Sequence, residues 1–208
     1  MAVNEWFRQV DWSETIEKGF FAKLEKARGQ RDQYLVIQAL TLAGSNPEIS
    51  LRLVECYFET KTTTFEDVRA LDAKARANIT LGRASEAVKV MKEILEMERE
   101  RPSHKTNTFT EFPYFVAMNR IPSEYDAALE TLIHRESDLV FPVSRFQWHA
   151  AMSLISREHH KDELSTTHAR LALAAASVQH SGFRHHSDLG LMGERFAEAL
   201  NRLRRIAA

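Results

Sequence analysis

The chain has 208 residues, 44% of them hydrophobic and 27% charged, a composition far from that of a disordered segment. At this length a folded chain buries roughly 70% of the surface that its unfolded form exposes, so a core forms without disulfides or metals. Lys and Arg number 28 against 29 Asp and Glu. That balance excludes a global field able to hold nucleic acid or an anionic membrane.

With seven glycines and five prolines, breakers are scarce and helices are favoured. Acidic residues three positions after a capping residue mark four starts: Asp11 with Glu14, Ser45 with Glu48, Thr64 with Asp67, and Ser123 with Asp126. Pro47 and Pro122 sit near two of these starts, where a missing N–H costs nothing. We expect helices at about 12–28, 31–44, 47–60, 64–81, 83–99, 110–119, 122–135, 143–158, 161–180 and 188–206. Short alternating runs such as 106–112 are too polar and isolated to make a sheet. The polar connector Arg99 to Thr108 reads as a loop between helix pairs.

The clearest element is Leu71 to Glu98, two amphipathic helices meeting at Leu81-Gly82-Arg83. Its second arm places Ala84, Ala87, Val88, Met91, Ile94 and Leu95 on one face. Two later arms align with it. One carries Tyr125, Ala128, Leu129, Leu132 and Ile133, and the other Leu164, His168, Leu171 and Ala175. The spacing is about 40 residues, the range of helical solenoids, in which each hairpin buries its face only against its neighbours. The final helix, with Leu189, Met192, Phe196, Ala199, Leu200, Leu203 and Ile206 on one side, reads as a terminal cap. Arg202, Arg204 and Arg205 at its end suit the helix dipole.

The run LGRASEAVKVMKEILE resembles the middle of a tetratricopeptide repeat, with Gly82 at the turn and Ala87 as the small packing residue. The likeness is best over residues 71–98. Asn78 stands where that family usually has an aromatic, and the closing proline is displaced to Pro102. The carboxylate-clamp pattern of the family is not visible in KARANITLG. The resemblance implies an all-α fold: a right-handed stack of antiparallel hairpins, about ten helices in one domain over 1–208, closed by a capping helix.

Function is expected from the same reading: a non-enzymatic module binding a protein or peptide on the concave face made by first arms, in the cytoplasm. Candidate contacts are Lys74, Asn78, Arg145 and Trp148, which fall on first arms. A homodimer through exposed stripes is a further expectation. Cys56, in the apolar run LRLVECYFE, reads as a structural thiol because nothing nearby activates it. Neither a basic start with an apolar core nor a run of about 18 apolar residues is present.

All nine histidines lie between His104 and His186. The densest group, His180, Arg184, His185 and His186, falls on a loop expected to be closed by Gly182 and capped by Ser187 or Asp188. Such a loop before a helix N-terminus suits an anion, and it defines the alternative: a small-molecule or phosphate-handling enzyme or binding protein using the His180 to Asp188 loop, completed by His149. The alternative to both is a solvated turn stapled by Phe183 and Leu189. No His pair has the three- or four-residue spacing of helix-borne metal ligands, and no catalytic triad, phosphate loop or HExxH pattern is present. We therefore assign no metal, cofactor or catalytic residue from the sequence.

Overall fold

Every regular element is a helix in the computed structural model, which describes residues 5–101, 103–181, 183–186 and 188–208. The α-helices are α1 (Glu14–Leu24), α2 (Arg31–Leu42), α3 (Pro47–Thr60), α4 (Asp67–Thr80), α5 (Ala84–Glu100), α6 (Thr108–Met118), α7 (Tyr125–His134), α8 (Pro142–Glu158), α9 (Asp162–Ala176) and α10 (Ala197–Ala207). Among the described residues there is no strand. None of these helices is long and apolar enough to cross a membrane.

Contacts group the chain into two compact units, Met1–Thr106 and Asn107–Ala208. In the first, α2 packs on α3, α3 on α4 and α4 on α5, and α2 also touches α4. The apolar stripe expected on α5 is the buried one: Ala87, Val88, Met91 and Ile94 all lie inside. Phe20, Leu24, Leu35, Val36, Leu42, Leu53, Val54 and Tyr57 form the adjoining core, which Trp6, Phe7 and Trp12 cover from one side. The buried Gln38 pins that aromatic segment. Its Nε2 donates to the Gln9 carbonyl at 2.7 Å and its Oε1 accepts from the Gln9 N–H at 2.9 Å.

In the second unit, α6 packs on α7 and on α8, α8 on α9, and α9 on α10. Alanines at 150, 169 and 172 let α8 and α9 approach closely, with Phe146, Phe196, Ala199 and Leu203 filling the rest. Two buried serines lace the pair: Ser153 Oγ donates to the Ser165 carbonyl at 2.8 Å, and Ser165 Oγ returns a bond to the Ser153 carbonyl at 2.9 Å.

Three inter-helix turns share one conformation. Gly82, Arg120 and His160, about 40 residues apart, have positive φ of 70°, 51° and 57°. Each follows a helix, and each is succeeded by a residue of similar backbone: Arg83 (φ −85°, ψ 67°), Ile121 (−103°, 82°) and Lys161 (−94°, 68°). The N–H groups of Arg83, Ile121 and Lys161 reach back to the carbonyls of Asn78, Val116 and Ser156, closing a left-handed helix cap each time.

Several expectations need correction. Of the four expected capping residues, none caps through its side chain. Ser13 caps α1 by accepting from Ile16 N–H, and Asn46, Glu66 and Glu124 hold the other three N-cap positions. A 3-10 turn, Pro122–Glu124, precedes α7 and carries Ser123 into it. The last helix begins at Ala197, after a 3-10 turn at Glu194–Phe196, and not at 188. Gly190 explains the delay: it has φ 70°, its carbonyl accepts from Val143 N–H, and a Cβ there would lie 2.5 Å from the Phe141 ring. Helix α9 ends at Ala176, short of residue 180. Gly182, Ser187 and Pro102 fall outside the described residues.

Candidate functional site

Helix α9 is built inside out. The stripe expected to pack, Leu164, His168, Leu171 and Ala175, is not the core face. Ser165, Ala169 and Ala172 are buried, while Leu164 and Leu171 are 41% and 45% exposed. The small residues win the interior because α8 presents Ala150 and Ser153 at a distance that leaves no volume for a leucine. Leu164 and Leu171 are consequently turned outward, and Leu171 lines a cleft, while Leu173 stays half-buried against the core.

That cleft, of about 490 Å³, is bounded by Pro142, Arg145 and His149 of α8, by Leu171, Ala174 and Ala175 of α9, by Val140, and by Val178, His180 and Ser181 of the segment after α9. Leu171, Val178 and Val140 are all substantially exposed, forming an apolar wall. Arg145, His149 and His180 place cationic or titratable groups around it. The volume falls within the roughly 300–1,000 Å³ of ligand pockets.

At its inner end, Nδ1 of His149 lies 3.0 Å from Nδ1 of His168, a hydrogen bond that requires one ring to carry the shared proton and the other to accept it. The rings are tilted by 32°, and Trp148 packs edge-on against His149. Burial pushes the His149 pKa down to about 4, assisted by His168 and by the Arg145 guanidinium. Burial lowers His168 as well, opposed by the carboxylate of Glu136. Both imidazoles are neutral at pH 7, so the polar end of the cleft carries the charge of Arg145.

The sequence-predicted contacts separate here. Arg145 and His180 come together with His149 in the cleft. Trp148 is buried, 5% exposed, with its indole N–H donating to the Leu132 carbonyl at 3.1 Å. Asn78 is also buried and donates its Nδ2 to the carbonyl of Lys74, one turn back along α4. Both side chains spend these donors within their own unit. Lys74 is partly exposed on the same helix. Arg184, His185 and His186 are exposed, and the loop holding them is organised by Ser181, whose Oγ donates to the His186 carbonyl at 2.6 Å. The expected staple is replaced: Phe183 packs on Phe141 with ring centroids 5.7 Å apart, and Leu189 is exposed.

Leu171 and Val178 as wall residues, and the pairing of His149 with His168, were not among the residues expected from the sequence. The signal was present in α9 itself, where alanines and leucines trace two different stripes. Among the described residues, no three His, Cys, Asp or Glu side chains converge to hold a metal ion. No protein-family model matches the chain, and no curated protein or solved structure matches it.

Proposed function

We propose that this chain is a non-enzymatic helical-repeat module that holds a protein or peptide segment in the cleft between α8 and α9. The observation that carries the reading is the inversion of α9, which spends buried positions on alanine and serine and leaves Leu171 exposed beside Arg145. An apolar wall next to one fixed cation suits an extended segment bearing an apolar side chain and a carboxylate. A tetratricopeptide-like stack is supported by the neighbour-to-neighbour packing within each unit and by the repeated left-handed turn at Gly82, Arg120 and His160. A cytoplasmic setting agrees with the single thiol, Cys56.

Selection of random displayed peptides on the full chain tests this. Enriched peptides should pair an apolar residue with Asp or Glu, and should lose binding to Leu171→Asp and to Arg145→Glu. Enrichment that survives both substitutions would remove the cleft from consideration.

One observation favours a second reading, a small-molecule site handling a carboxylate or phosphate: His180 and His149 line the same cleft. Titration with small carboxylates, followed by imidazole resonances, separates the two. Millimolar or tighter shifts of His149 without peptide enrichment would favour the small ligand.

A further inference from the structure

Two of the three arginines expected to suit the helix dipole, Arg202 and Arg205, also line a pocket. Arg202 and Arg205 of α10 meet Arg120, just after α6, and Arg157 of α8 around a separate pocket of about 220 Å³. Its floor is apolar, made by Ala117, Leu154 and Ile206, and its one carboxylate is Glu158. Two of the other arginines are held by acids close to them in the chain: Arg157 pairs with Asp162 at 2.7 Å and Arg202 with Glu198, one turn back on α10. Arg202 is further braced by donating to the Met118 carbonyl at 2.9 Å, which fixes its guanidinium at the end of α6. Arg120 approaches Glu158 only loosely, at 3.6 Å.

Glu158, Asp162 and Glu198 offset three of the four guanidiniums, so the pocket keeps the positive charge of Arg205, to which an entering anion is drawn. The backbone at Arg120 brings its guanidinium there from a left-handed turn. Arg120 occupies a left-handed position, φ 51°, where glycine is the unstrained choice and is the residue found at the equivalent Gly82. His160 adopts the same conformation, so the conformation belongs to the shared turn, and at this position it carries the Arg120 side chain to the pocket. The apolar floor strengthens the field of the arginines by keeping water from one side of them.

We propose that this pocket is an anion site for a phosphoryl group, held by Arg120, Arg157, Arg202 and Arg205. Guanidinium forks match phosphate oxygens in pairs. The volume is below the roughly 300 Å³ of pockets for drug-sized ligands, so the site takes inorganic phosphate, diphosphate or the phosphate end of a small ester, with any organic remainder outside. It is distinct from the α8–α9 cleft, sharing no lining residue with it.

The test is calorimetric titration of the full chain with inorganic diphosphate at low ionic strength, with monophosphate and glycerol phosphate as parallel arms. Saturable 1:1 binding is expected with diphosphate, weakening about tenfold in Arg205→Gln and falling below detection in the Arg120→Gly, Arg205→Gln double variant. If glycerol phosphate binds as well as monophosphate, the source is an ester; if only diphosphate binds, the inorganic anion is the ligand. Arg120→Gly by itself separates binding from folding, because it should raise the melting temperature of the free protein while weakening diphosphate about fivefold. Arg145→Gln, in the other cleft, should bind as the parent does. Absence of saturable binding in the parent, equal binding by the double variant, or equal loss in Arg145→Gln overturns the proposal.

Discussion

His149 and His168 face each other through their Nδ1 atoms at 3.0 Å across the α8–α9 interface, and this contact can persist only while at least one ring is neutral. Both pKa values are depressed in the folded chain, that of His149 to about 4. In the unfolded chain each ring titrates near its ordinary value, about 6.5. Between these limits the unfolded state binds more protons, so stability is full above about pH 6.5 and falls as pH drops toward 4. The groups facing the pair are Arg145, which opposes protonation of His149, and Glu136, which favours that of His168. The melting temperature should fall over this window more steeply in the parent than in His149→Gln. Equal slopes would show that the pair does not govern acid stability.

The three left-handed turns make opposite predictions for similar substitutions. Gly82→Ala forces a Cβ into a conformation that L-residues avoid and should cost about 1 kcal/mol. His160→Gly relieves the same strain and should gain about 0.5 kcal/mol, net of the entropy that glycine adds to the unfolded chain. Urea denaturation of the two variants reads both signs; a loss in each would mean that the His160 side chain contributes more than its backbone costs.

The inversion of α9 separates stability from binding. Ala169→Leu adds volume where α8 leaves none and should destabilise by about 1–3 kcal/mol. Leu171→Ala removes an exposed side chain, should change stability by less than about 0.5 kcal/mol, and should weaken peptide binding. Thermal unfolding of the pair is decisive: a larger loss in Leu171→Ala than in Ala169→Leu would show that the leucine belongs to the core.

In the first unit, the Tyr57 hydroxyl donates to Asp67 Oδ1 at 2.6 Å, and Lys61 bonds both oxygens of the same carboxylate at 2.8 Å. Burial and the Asp67 carboxylate raise the Tyr57 pKa well above its ordinary value. Tyr57→Phe leaves Asp67 paired with Lys61 and should cost about 1–2 kcal/mol. Asp67→Ala leaves the Tyr57 hydroxyl with only its long 3.4 Å contact to the Thr63 carbonyl and removes the Lys61 partner, and should cost more, about 2–3 kcal/mol. Chemical denaturation would contradict this arrangement if the ranking were reversed.

The left-handed turn was legible at one of its three positions, because only Gly82 is a glycine. Arg120 and His160 adopt the same backbone as Gly82, but their side chains hide the turn from a search for breakers. The stripe on α5 was legible because large apolar residues there are the buried ones. On α9 the same rule selects the wrong face, since periodicity records which residues share a side and not which side the neighbour covers. The start of α10 was misplaced because Leu189 and Met192 continue its apolar period through a segment that Gly190 holds against Phe141.

Local chemistry in the chain was sufficient to specify an all-helical protein and most of its helix boundaries to within a turn, because breakers and a 3.6-residue period act locally, although the expected capping residues were displaced. The sites needed the folded molecule. His149 with His168 is a pair from two helices, and Arg120, Arg157, Arg202 and Arg205 come from three separate regions of the chain. No periodicity within one helix encodes such meetings; they arise from how closely α8 and α9 pack and from where α10 settles against the end of α6.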